Sequence, residues 1–174
     1  QADVSDWTRY YEWTETFCAH PHWAVVPDKI DGGEADNLEL AKQWPHRRDC
    51  AAPVWHLGES IKQLGVLLDL GFGRVCFGSS GAYWQVGSEP WERRTDEAFN
   101  FLSQRGALPW VHMLRGLSLC GDRWPFASAD STNVARNHAS QKVCPERMAR
   151  RIDSVQNPIA WNPRAEQMDL LNVN

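Results

Sequence analysis

Two aspartates stand where apolar runs stop. Asp28 follows Trp23-Ala24-Val25-Val26-Pro27, and Asp130 follows Phe126-Ala127-Ser128-Ala129. A carboxylate at the end of a buried strand is costly to desolvate without a partner or a task. Such groups can trap an electron-poor carbon, accept from a donor edge of a ligand, or move a proton. Three further runs stop in the same way: Pro53-Val54-Trp55-His56, Arg74-Val75-Cys76-Phe77, and Trp110-Val111-His112-Met113. The groups gathered at these ends are Asp28, Asp31, His56, Ser79, Ser80, His112, Arg115, Asp130, Ser131 and Thr132. Gly78-Ser79-Ser80-Gly81 is a small-residue turn that lets backbone N–H groups approach a ligand closely. Each feature also has a purely structural explanation. An Asp after a strand caps a helix, a Gly-Ser turn makes a tight corner, and His56 and His112 inside apolar runs serve as hydrogen-bonded core residues. His20-Pro21-His22 has the spacing of a metal-ligand pair but precedes its strand, on the face away from the other candidates, so no metal site is expected there.

The elements that must position these groups follow from the same pattern. Continuous apolar runs mark strands buried on both faces in a parallel sheet, and the carboxyl ends of such strands carry the chemistry. The intervals are helix-like. Trp7, Tyr10, Tyr11, Thr14 and Phe17 make a helical stripe over 5–17. Leu38, Ala41 and Trp44 line a helix over 34–44 that Pro45 closes, and Ile61, Leu64, Leu67 and Leu68 line one over 59–70 that Gly71 stops. Ser88 and Pro90 open a third helix that ends at Gly106, residues 115–119 leave room for barely two turns, and Pro145 opens a last helix to about Val155. Strands alternating with helices imply parallel pairing with right-handed crossovers. The expected fold class is therefore α/β, a partial or compact (β/α)8 barrel, since a complete one takes about 250 residues. The expected organisation is a single domain over 1–174, with barrel-like units over 22–140 and an irregular tail over 156–174.

Composition bounds the partners. The 174 residues are 43% hydrophobic and 23% charged, with net charge −4, so nothing global points to a polyanion. A basic stretch from Arg136 to Arg151 holds Arg136, Lys142, Arg147, Arg150 and Arg151 against Glu146; it is either a phosphate-facing patch or a solvated helix face. The ten tryptophans supply core, a stacking wall or a partner surface. Five dispersed cysteines without a Cys-x-x-Cys spacing suggest reduced thiols and a cytoplasmic setting. No apolar stretch approaches a membrane span of about 20 residues, and no signal peptide is visible.

The segment His112-Met113-Leu114-Arg115-Gly116 through Asp130-Ser131-Thr132-Asn133-Val134-Ala135-Arg136-Asn137 resembles the last barrel strands of the tRNA-guanine transglycosylase superfamily. That superfamily includes queuine tRNA-ribosyltransferases and phage and bacterial enzymes that place 7-deazaguanines in DNA. The match lies in a strand-end Asp130, then Thr132, then Ala135-Arg136-Asn137. Phe77-Gly78-Ser79-Ser80-Gly81 is similar to the family's base-binding turn, and Asp28 sits where a base-reading Asp is expected. The resemblance covers about residues 22 to 140. It implies that Asp130 is the nucleophile that holds C1′ as a glycosyl ester, the logic of retaining glycosidases. It further implies that Asp28 accepts from the N1–H and N2 edge of a guanine-like base and that backbone N–H groups near Ser79 and Ser80, in the binding turn Gly78 to Gly81, donate to O6. Tyr83 or Trp84 would stack on the ring and Arg136 would meet a phosphate, with His112 counted among the substrate-binding residues.

Two family features are missing. No Asp-Ser-Gly-Gly-Phe strand end precedes residue 22, and the Cys-rich zinc site of the tRNA enzymes is absent, which favours a DNA-directed or phage-like branch. The expectation is a transglycosylase-like chain lacking the N-terminal part of the barrel, weakly active, with no cofactor. Its partners would be DNA or tRNA and a guanine-like base, with a homodimer or the missing segment completing it, in the cytoplasm of a host if phage-encoded. Two other readings stay open: a metal-dependent barrel hydrolase, and a non-catalytic interaction module that uses the tryptophan-rich surface.

Overall fold

The computed structural model describes residues 6–131, 136 and 144–163. Its strands are β1 (Ala24–Val25), β2 (Ala51–Ala52), β3 (Val54–His56), β4 (Arg74–Gly78), β5 (Trp110–Met113) and β6 (Ser128–Ala129). Its α-helices are α1 (Thr8–Glu15), α2 (Glu34–Lys42), α3 (Ile61–Asp69), α4 (Glu89–Gln104) and α5 (Pro145–Asp153). The fold class is α/β: β1 pairs with β2, and β3, β4, β5 and β6 pair in that order, every pair parallel. Pro53 separates the two sheets because it has no N–H for a ladder. Its carbonyl still accepts from Cys76 N–H, and Val26 N–H donates to Ala52 O, so the sheets meet along one chain segment.

Strand alternation divides the side chains between two faces. Ala24, Ala51, Trp55, Val75, Phe77, Val111 and Met113 face the helices and join Leu64, Leu67, Trp91, Phe99, Leu102 and Trp124 in the main core. The opposite face holds smaller groups, Ala52, Val54 and Cys76, with Trp23, Val25 and Leu114 against them. Trp23, just before β1, brings its ring within 4.8 Å of Trp110 and 5.1 Å of His112. Both partners are on β5, with the β2–β3 segment and β4 between, so the sheet curls round this face.

Local chemistry accounts for the helix ends. Ser60 caps α3 by accepting from Gln63 N–H, and Gly71 follows it at φ 95°. Ser88 sits at the N-cap of α4 with Pro90 behind it, yet its hydroxyl makes no capping bond. Over 115–119 the chain forms only a 3-10 turn, Leu117–Leu119, and the loop after β4 contains another, Gly81–Tyr83. The N-terminal helix is shorter than its aromatic stripe. It docks through Tyr10, whose hydroxyl donates to Val25 O at 2.6 Å, and through edge contact of Tyr11 with Trp44. From the tail, Trp161 stacks on Phe99 and donates to Asn100 Oδ1. Among the described residues no helix is long and apolar enough to cross a membrane.

Candidate functional site

The carboxyl ends of the strands enclose a cavity of about 550 Å³ lined by Asp28, Ile30, His56, Gly78, Ser79, Ser80, Gly81, Trp84, Leu114, Arg115 and Asp130. That volume lies within the usual range of small-molecule sites. The first and last strands therefore deliver Asp28 and Asp130 to one hollow. Beneath it lies Cys76, whose thiol is pushed well above its ordinary value by burial first, and then by the charges of Asp130 and Asp28. One sulfur thus feels both carboxylates.

Asp28 is not alone. Its Oδ2 lies 2.8 Å from His56 Nε2, and His56 Nδ1 lies 3.3 Å from Ser80 Oγ. An ionised carboxylate only accepts, so Nε2 carries the proton, and in the neutral ring Nδ1 accepts from the Ser80 hydroxyl. His56 is 7% exposed, locked at the end of β3. A clamp holds the two strand ends together. Asn37 Oδ1 accepts from Lys29 N–H at 2.8 Å, and Asn37 Nδ2 donates to Glu59 Oε1 at 2.9 Å. Glu59 Oε2 in turn accepts from His56 N–H. Burial pushes the Glu59 carboxyl above its ordinary value, against the pull of the Asn37 bond.

Asp130 stands across the cavity with its side chain 56% exposed. Its Oδ1 accepts from Arg115 N–H. Arg115 has φ 62°, a left-handed conformation that costs a non-glycine residue energy, and its guanidinium donates to Ser79 O. His112 sits behind Asp130, with Nε2 3.9 Å from Oδ1 and Nδ1 2.5 Å from Ser128 Oγ. Burial pulls the His112 imidazole below its ordinary value, opposed by the Asp130 charge. Among the described residues, no acceptor takes the backbone N–H groups of Ser79, Ser80 and Gly81. These three amides belong to cavity-lining residues and are available as a small donor cradle.

Several expected positions shift. Tyr83 is not in the cavity; it packs on the main core and faces a separate groove with Pro90, Arg93, Arg94 and Glu97, whereas Trp84, 68% exposed, forms the aromatic wall. The 3-10 turn rotates these neighbours to opposite sides. The Ser79 hydroxyl accepts from Trp91 Nε1 at 2.9 Å, so only the backbone of Ser79 serves the site. His112 is buried behind the wall and is not among its lining residues. Asp28 commits one oxygen to His56, and its other oxygen has no hydrogen-bond partner among the described residues. Asp31 is exposed on the turn before α2. Arg136 is exposed and helical, while Thr132, Asn133, Val134, Ala135, Asn137 and Lys142 lie outside the described residues. His20 and His22 are exposed, and among the described residues no three His, Cys, Asp or Glu side chains gather as a metal site would require. The contacts of Arg115 reach 15 and 36 residues along the chain and the Asn37–Glu59 bond reaches 22, so no local pattern signals them, although Glu59 meets His56 N–H only three residues away.

Comparisons with family models, with curated proteins and with solved structures gave no significant match.

Proposed function

We propose that this chain is a transglycosylase-like protein that binds or exchanges a guanine-type base in nucleic acid through a glycosyl ester on Asp130. The observation that carries the reading is the meeting of Asp28 and Asp130 in one cavity with a donor cradle and an exposed indole. A flat ring lodged against Trp84 places its carbonyl on the N–H groups of Ser79, Ser80 and Gly81. Its donor edge meets the remaining oxygen of Asp28. The sugar carbon then faces Asp130, whose Oδ1 is steadied by Arg115 N–H. Attack by the carboxylate on C1′ breaks the bond to the base and stores the sugar as an ester. A second base attacks C1′ and returns the electron pair to Asp130.

The sheet supports the same reading. Its strands follow one another in chain order without a reversal, the helices pack on one face, and the other face curls on itself through Trp23 and Trp110. We read this arrangement as a segment of a (β/α)8 barrel within one domain. Exposed Arg136 is placed by the same reading on a phosphate. Intact-mass analysis after denaturation tests it, with guanine-containing single-stranded DNA and a tRNA as probes. The expected result is a covalent adduct on one probe that Asp130→Asn abolishes. An adduct that survives the substitution, or that maps elsewhere, overturns the assignment; the probe that labels identifies the nucleic acid.

A further inference from the structure

We propose that the chain Asp28–His56–Ser80 is the proton relay of this site, with Ser80 as the group that meets the departing base. The inference rests on the base-exchange reading and supplies what that reading lacks, a group that can give the leaving base a proton. Guanine is a poor leaving group as an anion. Asp130 can attack, but it has no proton to give. Of the described groups lining the cavity, the Ser80 hydroxyl has a route to a titratable ring: 3.3 Å to His56 Nδ1, with the far nitrogen of that ring 2.8 Å from Asp28. Nucleophile, base and orienting carboxylate in hydrogen-bonded series is the general architecture for proton transfer at a reacting centre. Gly78 makes room for it. A Cβ there would lie 2.9 Å from His56 Nδ1 and 3.2 Å from Cε1, so the ring occupies the space a side chain would take.

The protons balance over the two half-reactions. In the first, Asp130 bonds to C1′ as the bond to the base breaks and its electron pair goes to the base. Ser80 gives its hydroxyl proton to the base, and the imidazolium Nδ1–H of His56 replaces it. The ring is left neutral with Nε2–H still on Asp28. In the second, the incoming base passes its ring N–H proton through Ser80 to His56 as its nitrogen bonds to C1′. The ester electron pair returns to Asp130.

A leaving group that needs no proton tests the relay. In 7-methylguanine the ring already carries the positive charge that protonation would supply. Oligonucleotides bearing guanine and 7-methylguanine are compared for base release by wild type, His56→Gln, Ser80→Ala and Ser80→Thr, with thermal melts to show that each folds. The expected result is a loss of about a hundredfold or more on guanine for His56→Gln and Ser80→Ala, with near-normal release of 7-methylguanine and partial rescue by Ser80→Thr. Equal losses on both probes overturn the relay and leave base exchange standing. Release of neither base by wild type overturns base exchange and the relay together.

A second observation stands apart from the cavity. Cys18 follows α1 and Cys50 ends the 3-10 turn before β2; their sulfurs lie 2.9 Å apart, and each is within 3.0 Å of the other's carbonyl oxygen. We infer that this pair is a reversible disulfide site that staples α1 to the start of β2. A disulfide bond is about 2.05 Å long, so the sulfurs have less than 1 Å to close. The co-reactant is a small disulfide such as oxidised glutathione. The two protein thiols give up two electrons and two protons, and the small disulfide becomes two thiols. Incubation with oxidised glutathione and non-reducing peptide mapping test the pair. The expected products are a Cys18–Cys50 linked peptide and a raised Tm, both absent from Cys18→Ser and Cys50→Ser. Mixed glutathione adducts on these residues without a cross-link overturn the assignment.

Discussion

Gly78 shows how little space the site leaves. It pairs in register with His56, and a methyl group at Gly78 would press on His56 Nδ1 at 2.9 Å and Val54 Cγ1 at 3.0 Å. Gly78→Ala is expected to displace the imidazole from Ser80 and to destabilise the fold by about 1–3 kcal/mol through overpacking. The change in the His56 ring resonances by NMR and the urea midpoint check it. Trp84 makes the opposite case, an apolar ring left 68% exposed at the cavity rim. If it stacks on a base, Trp84→Ala weakens guanine binding by about 1–3 kcal/mol with little effect on folding, and Trp84→Phe restores part of it. Titration calorimetry with the free base reads the difference. The sequence pointed to Asp28 and Asp130 because strand ends are recognisable, but it could not pair Asp28 with His56 across 28 residues.

The helices act as struts that fix these ends. Within α4, Trp91 ties its indole to Ser79 Oγ, and Asp96 accepts from Trp124 Nε1 at 2.9 Å and from the Arg123 guanidinium at 2.6 Å. Asp96 is 1% exposed, so its carboxylate is stabilised by those partners and they by it. Asp96→Ala leaves the buried Trp124 indole N–H without its acceptor and the half-buried Arg123 guanidinium with only the longer 4.0 Å pairing to Glu92, and should cost about 1–3 kcal/mol. Asp96→Asn, which keeps an oxygen for the indole, should cost less; urea denaturation of both variants separates the two. Trp91, Thr95, Ala98, Phe99 and Leu102 stand at helical spacing that the sequence makes legible, and all five are buried. Asp96 and Arg123 were not, because a charged residue on a helix usually faces water and nothing local marks the exception.

Across the whole molecule, burial sets the response to acid. His112 is held below its ordinary value of 6.5 by desolvation, so the unfolded chain takes up a proton near that pH while the folded chain resists. Stability from this group is therefore intact above about pH 6.5 and falls as the pH drops through the depressed folded value. Glu59 has the opposite sign: its raised folded value means that lowering the pH from neutral towards 4.5 relieves the cost of burying its charge. His112→Asn should flatten the acid-side loss, and Glu59→Gln should remove the opposing gain. Chemical denaturation from pH 7.5 to pH 4 checks both directions.

What the chain determines by itself is the alternation of short apolar strands with amphipathic helices, and hence a parallel α/β fold with polar and charged residues gathered at the strand ends. Periodicity is local, so Trp110–Met113, Arg74–Gly78 and the helix over 59–70 were readable from neighbours alone. The tertiary structure decided the rest: which face of the turn carries Trp84 and which Tyr83, that Ser79 turns to Trp91 while Ser80 turns to His56, and that Asp28 is already engaged. Those outcomes depend on register and on contacts between residues far apart in the chain. A one-residue rotation about a turn exchanges a core contact for a cavity wall, and no local pattern records it.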